Sequence, residues 1–151
     1  MPQATYEDAN LVLRMYELRR EDKLRKARDW FAREFSARSA DELAEKYPAG
    51  SEENAFYRMV VSYWEMLASF LVHGIIHEEL FFETCGEGLM VWEKVRPFIS
   101  ELRARRKNPL MLRNLEKAAA RQIAWLNQHA PGAYETMLSM RAVPSPAAEK
   151  V

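Results

Sequence analysis

Three histidines, four closely set glutamates, one cysteine and four tryptophans are the residues whose types and spacing could do chemistry in this chain. His73 and His77 stand four apart, the interval that puts two imidazoles on one side of a helix, as a zinc site requires. His129 could complete a three-ligand set. Gly74 lies between the close pair and is a helix-stopping residue, so helical spacing need not hold across it. The His-Glu-x-x-His pattern of metalloproteases is absent, because glycine follows His73. A di-iron bundle would need Glu-x-x-His on inward faces, and no histidine here has a glutamate three residues before it. The histidines therefore read first as turn and cap residues.

Glu78, Glu79, Glu83 and Glu87 form an acidic flank in which 79, 83 and 87 repeat every fourth residue. Like charges at that interval repel slightly and call for a cationic neighbour. Cys85, between Thr84 and Gly86, has no base at a spacing that would activate a thiolate, so it reads as a small buried residue. Trp30, Trp64, Trp92 and Trp125 fall at the edges of apolar stripes, where rings close a core or line an apolar pocket. Phosphate-binding glycine loops, nucleophile elbows and dinucleotide fingerprints do not occur. No residue is assigned a catalytic, cofactor-binding or metal-binding role, and no cofactor is expected.

The totals belong to an ordinary folded chain. Of 151 residues, 48% are apolar, 29% charged and 11% aromatic, and a disordered chain lacks such rings. A lone cysteine excludes an intrachain disulfide and suits a reducing cytosol. The first residues show no basic and apolar leader pattern. No run reaches the length of about 18 apolar residues needed to span a membrane. The expected location is therefore cytoplasmic. The net charge is zero but segregated: residues 1–38 carry nine Lys/Arg against seven Asp/Glu, 39–93 two against eleven, and 94–121 nine against two. Neighbouring segments of opposite sign attract one another. A neutral total argues against nucleic acid as a partner, since that affinity rests on many cationic contacts.

These residues must be positioned by helices, and nearly all of the chain has helical periodicity. Thr5 and Asp8 cap a first helix that the stripe Ala9, Val12, Leu13, Tyr16, Leu24, Ala27, Phe31 and Phe35 carries to about Ser36. Leu11, Met15 and Leu18 lie opposite, so its first turns are apolar nearly all round, as for a helix covered on two sides or meeting a second copy. Ser39 and Glu42 open a short helix that stops before Pro48. Ser51 caps the next, whose stripe runs from Phe56 to Leu71 and ends at Gly74. A second arm keeps phase from Ile76 to Leu102, with Gly88 inside the stripe and suited to close approach. Cys85–Gly88 is a site for a break, and Pro97 for a kink. Asn108 and Pro109 read as cap and first residue of a further helix through Leu126. After Pro131-Gly132 a short helix covers 133–141. The expected architecture is an all-α single-domain bundle of five to six helices over residues 1–142, built on a long helical hairpin, with a disordered tail at 143–151.

The central segment resembles a bacterial family of uncharacterised all-helical domains. The residues that carry the resemblance are Phe56, Tyr57, Tyr63 and Trp64 of the aromatic helix, and the turn Val72-His73-Gly74-Ile75-Ile76-His77-Glu78-Glu79-Leu80. Trp92, Pro97-Phe98-Ile99 and the basic Arg103-Arg105-Arg106 follow. His73 stands where the family more often has Arg, and His77 where it more often has Asp. Aspartate there would be a natural N-cap, which implies that His77 holds a capping position. The resemblance implies the fold and carries no catalytic residue. The expected function is a non-enzymatic domain working through protein contacts, with self-association as a homodimer. The alternative is a bundle that binds a small ligand or a metal through the His73/His77 turn or a tryptophan-lined pocket.

Overall fold

The computed structural model of the protein describes residues 2–142, and the tail expected at 143–151 lies outside them. The described residues form eight α-helices and no strand. These are α1 (Tyr6–Arg19), α2 (Asp22–Arg33), α3 (Ala40–Lys46), α4 (Glu52–Val72), α5 (Glu78–Thr84), α6 (Glu87–Arg105), α7 (Arg113–His129) and α8 (Ala133–Ala142). The all-α architecture agrees with the periodicity, but two of the expected helices are divided, so there are eight elements rather than five or six.

The centre is α4, which packs on α2, α6 and α7 and buries Tyr57, Val60, Tyr63, Trp64, Leu67 and Leu71. The stripe that runs from Phe56 to Leu71 makes it the natural core helix, since an apolar face this wide must be covered on several sides. Each such large side chain contributes about 1.5–3 kcal/mol when fully buried. Phe35 and Phe31 stack with centroids 4.5 Å apart, and Tyr47 and Tyr57 stack on Phe35 at 5.3 and 5.2 Å. This aromatic stack joins the end of α2 to α3 and α4. At the other end, Trp64 is fully buried against Gly88 of α6. A Cβ at Gly88 would lie 2.9 Å from Trp64 Cε3, so glycine sets how closely α4 and α6 approach.

The first helix breaks at Arg20-Glu21. Glu21 folds back as a side-chain cap, its two carboxylate oxygens accepting from Lys23 N at 3.1 Å and Leu24 N at 3.0 Å. The break resets the helical phase. Met15 is thereby buried, while Leu13 and Tyr16, expected inward, face out. The second arm breaks at Cys85-Gly86, the position that glycine propensity marked. Pro97 sits in α6 facing solvent, and the helix continues through it to Arg105. Asn108 does not cap α7. It closes α6 instead: its N–H donates to Arg103 O at 3.0 Å, with Lys107 left-handed at φ 50°. Its side chain then accepts from Leu110 N.

Helix ends leave backbone groups without partners, and here many are satisfied from other helices. At α7, Leu112 stands in the N-cap position with a left-handed φ of 53° and no capping side chain. Glu65 of α4 supplies the acceptors, Oε1 for Asn114 N at 3.1 Å and Oε2 for Leu115 N at 2.7 Å. At the C-terminus of α2, Lys94 of α6 donates to the carbonyls of Phe31, Ala32 and Phe35 at 2.6, 2.9 and 3.1 Å. Burial pulls the Lys94 ammonium down to about 8, whereas the three carbonyls favour its charged form. Arg28 of α2 donates to Arg19 O at the end of α1 and grips Glu87, in the first turn of α6, with Nε and Nη2.

Two substitutions test this packing. Gly88→Ala should cost about 1–3 kcal/mol, because the methyl group overpacks Trp64. Gly86→Ala, with open space at its Cβ and an ordinary helical φ, should be neutral or stabilising in the same urea titration. Glu65→Ala should cost about 1–2 kcal/mol through the lost cap, and an unchanged midpoint would contradict the capping role.

Candidate functional site

The 74–80 turn is the place where the sequence gathers groups with functional chemistry. It begins as α4 ends: Gly74 is left-handed at φ 72°, Ile75 N donates to Phe70 O at 2.8 Å, and Gly74 N donates to Leu71 O at 3.1 Å. This pair of bonds is a Schellman motif, which only glycine enters without a Cβ penalty. The chain then restarts as α5 with His77 as N-cap, its Nδ1 accepting from Leu80 N at 3.2 Å. An accepting Nδ1 places the ring proton on Nε2, which donates to Pro2 O at 2.9 Å. Both imidazole nitrogens are therefore engaged. The capping role implied by the resemblance is the one His77 has.

Asp8 joins this turn to α1. Its Oδ2 accepts from Thr5 N at 2.8 Å and Thr5 Oγ1 at 2.9 Å, and Thr5 Oγ1 accepts from Asp8 N, which completes a capping box. Its other oxygen, Oδ1, accepts from His77 N at 2.8 Å. One nearly buried carboxylate thus serves two helix N-termini. The Thr5 N–H, followed by that of His77, holds the Asp8 carboxyl below its ordinary value.

The other singled-out residues are dispersed. His73 is the exposed last residue of its turn, and His129 ends α7 with Nδ1 2.9 Å from Trp125 O. Among the described residues no group of three or more His, Cys, Asp or Glu side chains gathers as metal ligands would. The acidic flank is split by the end of α5: Glu87 pairs with Arg28, Glu78 lies 3.7 Å from Arg121, and Glu79 and Glu83 are exposed. Arg121 comes from the basic 94–121 segment, as charge segregation suggested, but Arg28 does not. Cys85 is buried and its thiol is pushed up by desolvation, the reverse of what a nucleophile needs. The tryptophans occupy separate clusters: Trp30 with Tyr47 and Phe56, Trp64 with Tyr63, and Trp125 with Phe82. Trp92 is buried in α6.

The outer face of α1 is where the expected helical phase and the structure part. Tyr6 is 90% exposed, Leu13 59% and Tyr16 49%. With Ala9 and Arg20, both exposed, they recur at 6, 9, 13, 16 and 20, the alternating spacing of three and four that forms a two-stranded coiled-coil seam. The stripe is visible as periodicity, but a helix continued to Ser36 puts it on the same face as Phe31 and Phe35, which are buried. The inner face of the same helix carries Asp8 and Met15, so α1 is anchored from behind with an apolar seam in front.

A family model described as Domain of unknown function (DUF4760) matches residues 4–122. The chain belongs to this family. The DUF4760 match begins at the capping residues of α1 and ends within α7, so it includes the Asp8–His77 junction, the Gly88–Trp64 contact and the Glu65 cap. α8 follows it. No curated protein and no solved structure matches the chain. No helix of the described residues is long and apolar enough to cross a membrane.

The junction has a pH signature. A carboxyl whose folded value is depressed contributes stability above its unfolded value, here near 3.8, and loses that contribution as pH falls through the lower folded value. Asp8→Asn should therefore be less stable than wild type at neutral pH, with the gap shrinking as pH is taken from about 7 to about 3. Denaturant titrations across that range would check it; a gap independent of pH would exclude the charge of Asp8 as its cause.

Proposed function

We propose that residues 2–142 act as one non-enzymatic cytoplasmic interaction domain that pairs with a second copy of itself through the outer face of α1. The observation that carries this reading is the seam of Tyr6, Ala9, Leu13, Tyr16 and Arg20, exposed on a helix whose back is fixed. Apolar residues repeating at coiled-coil spacing on a free face are suited to another helix of the same periodicity. The seam suits itself when two copies run antiparallel. A two-fold axis at Leu13 places Leu13 on Leu13 and, seven residues away on either side, Tyr6 opposite Arg20 of the second copy. Guanidinium over a tyrosine ring is an attractive pairing, and Arg20 already lies 5.6 Å from the Tyr16 centroid within one chain.

Size sets the strength. A helix of 14 residues is roughly 21 Å long, so one helix pair buries an area at the low end for specific complexes, below about 1,200 Å². The expected dimer is weak and reversible, with dissociation in the micromolar range. Sedimentation equilibrium should show a monomer–dimer transition that Leu13→Asp removes while helicity is unchanged, since Leu13 is exposed. A strict monomer up to several hundred micromolar, on the order of the weakest specific complexes, would overturn the reading.

A further inference from the structure

The elbow between α1 and α2 gathers four arginines around one tyrosine. Arg19, Arg20, Arg25 and Arg28 line a cavity of about 380 Å³ with Tyr16. The Arg19 guanidinium lies 5.4 Å from the centroid of Tyr16 and 5.7 Å from that of Trp64, and Arg20 lies 5.6 Å from Tyr16. Of the four, Arg28 has a carboxylate partner, Glu87. Among the described residues, Arg19, Arg20 and Arg25 have none within ion-pair distance, and Arg19 Nε has no acceptor. The helix end nearby offers α1 carbonyls as partial compensation, but Arg28 already takes that of Arg19. Three unneutralised guanidiniums converging on one hollow is an arrangement that an anion stabilises.

What the anion carries is indicated by the neighbouring groove. Arg25 and Arg28 also line a second cavity of about 760 Å³, between α2 and α6, whose apolar walls are Phe31, Ala32, Met90 and Val91 and which Asp29, Glu87 and Arg141 also line. That volume falls in the range of small-molecule sites, which are apolar with a few fixed polar groups. Methionine supplies a surface that adapts to varied alkyl shapes. Lys94, which also lines this groove, is held by the α2 carbonyls; Arg141 lines it as well, while Arg19 and Arg20 belong to the elbow cavity alone. A ligand matched to both cavities has an oxyanion head and an apolar tail. Arginine forks suit phosphate oxygens in particular, since they donate two parallel N–H bonds.

We infer that the α1–α2 elbow and the adjoining α2–α6 groove form a binding site for a small single-chain alkyl phosphate, with its head on Arg19, Arg20 and Arg25 and its tail along Phe31, Met90 and Val91. The site shares Tyr16 and Arg20 with the C-terminal end of the α1 seam, and binding does not require self-pairing.

Isothermal titration calorimetry of the full chain with octyl phosphate, inorganic phosphate and octyl glucoside, each below its micellar concentration, tests this assignment. Octyl phosphate should bind, inorganic phosphate should bind at least about tenfold more weakly, and octyl glucoside should not bind. Arg25→Gln should weaken octyl phosphate about tenfold, as expected for one charge-assisted contact. Met90→Asn should weaken octyl phosphate and leave inorganic phosphate unchanged. Leu13→Asp, which removes the dimer, should not weaken octyl phosphate binding, which separates this site from the dimer. Equal affinity for octyl and inorganic phosphate would exclude the groove as the tail site. Octyl phosphate affinity insensitive to Arg25→Gln, or binding of octyl glucoside, would overturn the arginine head site, as would the absence of any heat with octyl phosphate up to about millimolar, where specific affinity ends.

Discussion

Short helices packed together must find partners for their ends, and in this protein the ends that lack a local cap take charged side chains from other helices. Each terminus leaves four backbone groups without intrahelical bonds, and a bundle cut into eight pieces multiplies such ends. Glu65 takes the N-terminus of α7, Lys94 the C-terminus of α2 and Arg28 the last carbonyl of α1. Glu101 accepts from Ala40 N at the start of α3, and Asp8 serves both α1 and α5. The donors and acceptors come mainly from α4 and α6, the two longest helices. Apolar burial supplies the bulk of the driving force, but it is non-directional. The caps decide where each piece begins and how it is oriented, because an unsatisfied buried amide or carbonyl costs about 1–3 kcal/mol.

This arrangement explains why α1 can present an apolar face without dissolving into the core. Its first turn is tied to the α4–α5 turn by Asp8, and its later turns are held by Tyr63, whose hydroxyl donates to Met15 O, and by Arg28. Burial pushes the Tyr63 phenol up to about 12, so it stays a donor throughout the physiological range. A helix fixed at both ends loses little further freedom when a partner covers its outside, which favours association. The same elbow that redirects the chain after Arg19 brings Arg25 and Arg28 of α2 back beside it. Self-pairing and oxyanion binding are therefore two consequences of one break, and they share Tyr16 and Arg20.

The local signals were legible from the sequence. Thr5 with Asp8, Ser39, Ser51 and Gly74 each act within a few residues of their own position, and all do what their types predict. Gly88 was recognisable because it interrupts nothing in the α6 stripe, and its contact with Trp64 supplies the reason. The misreadings share a different cause. Asn108-Pro109 has the local form of a helix start, yet the actual start is set by Glu65, some fifty residues earlier. The break at Arg20-Glu21 contains neither glycine nor proline; a glutamate capping its own successor is a weak signal beside a continuous apolar stripe. That break rotates α1, so that Leu13 and Tyr16 leave the face they would share with Ala27, Phe31 and Phe35 on one continuous helix. The arginine hollow was equally hidden, since it exists only after α2 turns back on α1.

Distant carboxylates close the starts of α5 and α7, and amide hydrogen exchange measures this directly. First-turn amides ordinarily exchange quickly because no intrahelical acceptor holds them. The amides of His77, Asn114 and Leu115 are predicted to be protected to nearly the level of the interior amides of α4, and Glu65→Ala should release the last two while leaving His77 slow. Exchange of all three at the rate of open, solvent-facing first-turn amides in the wild-type protein would contradict the account.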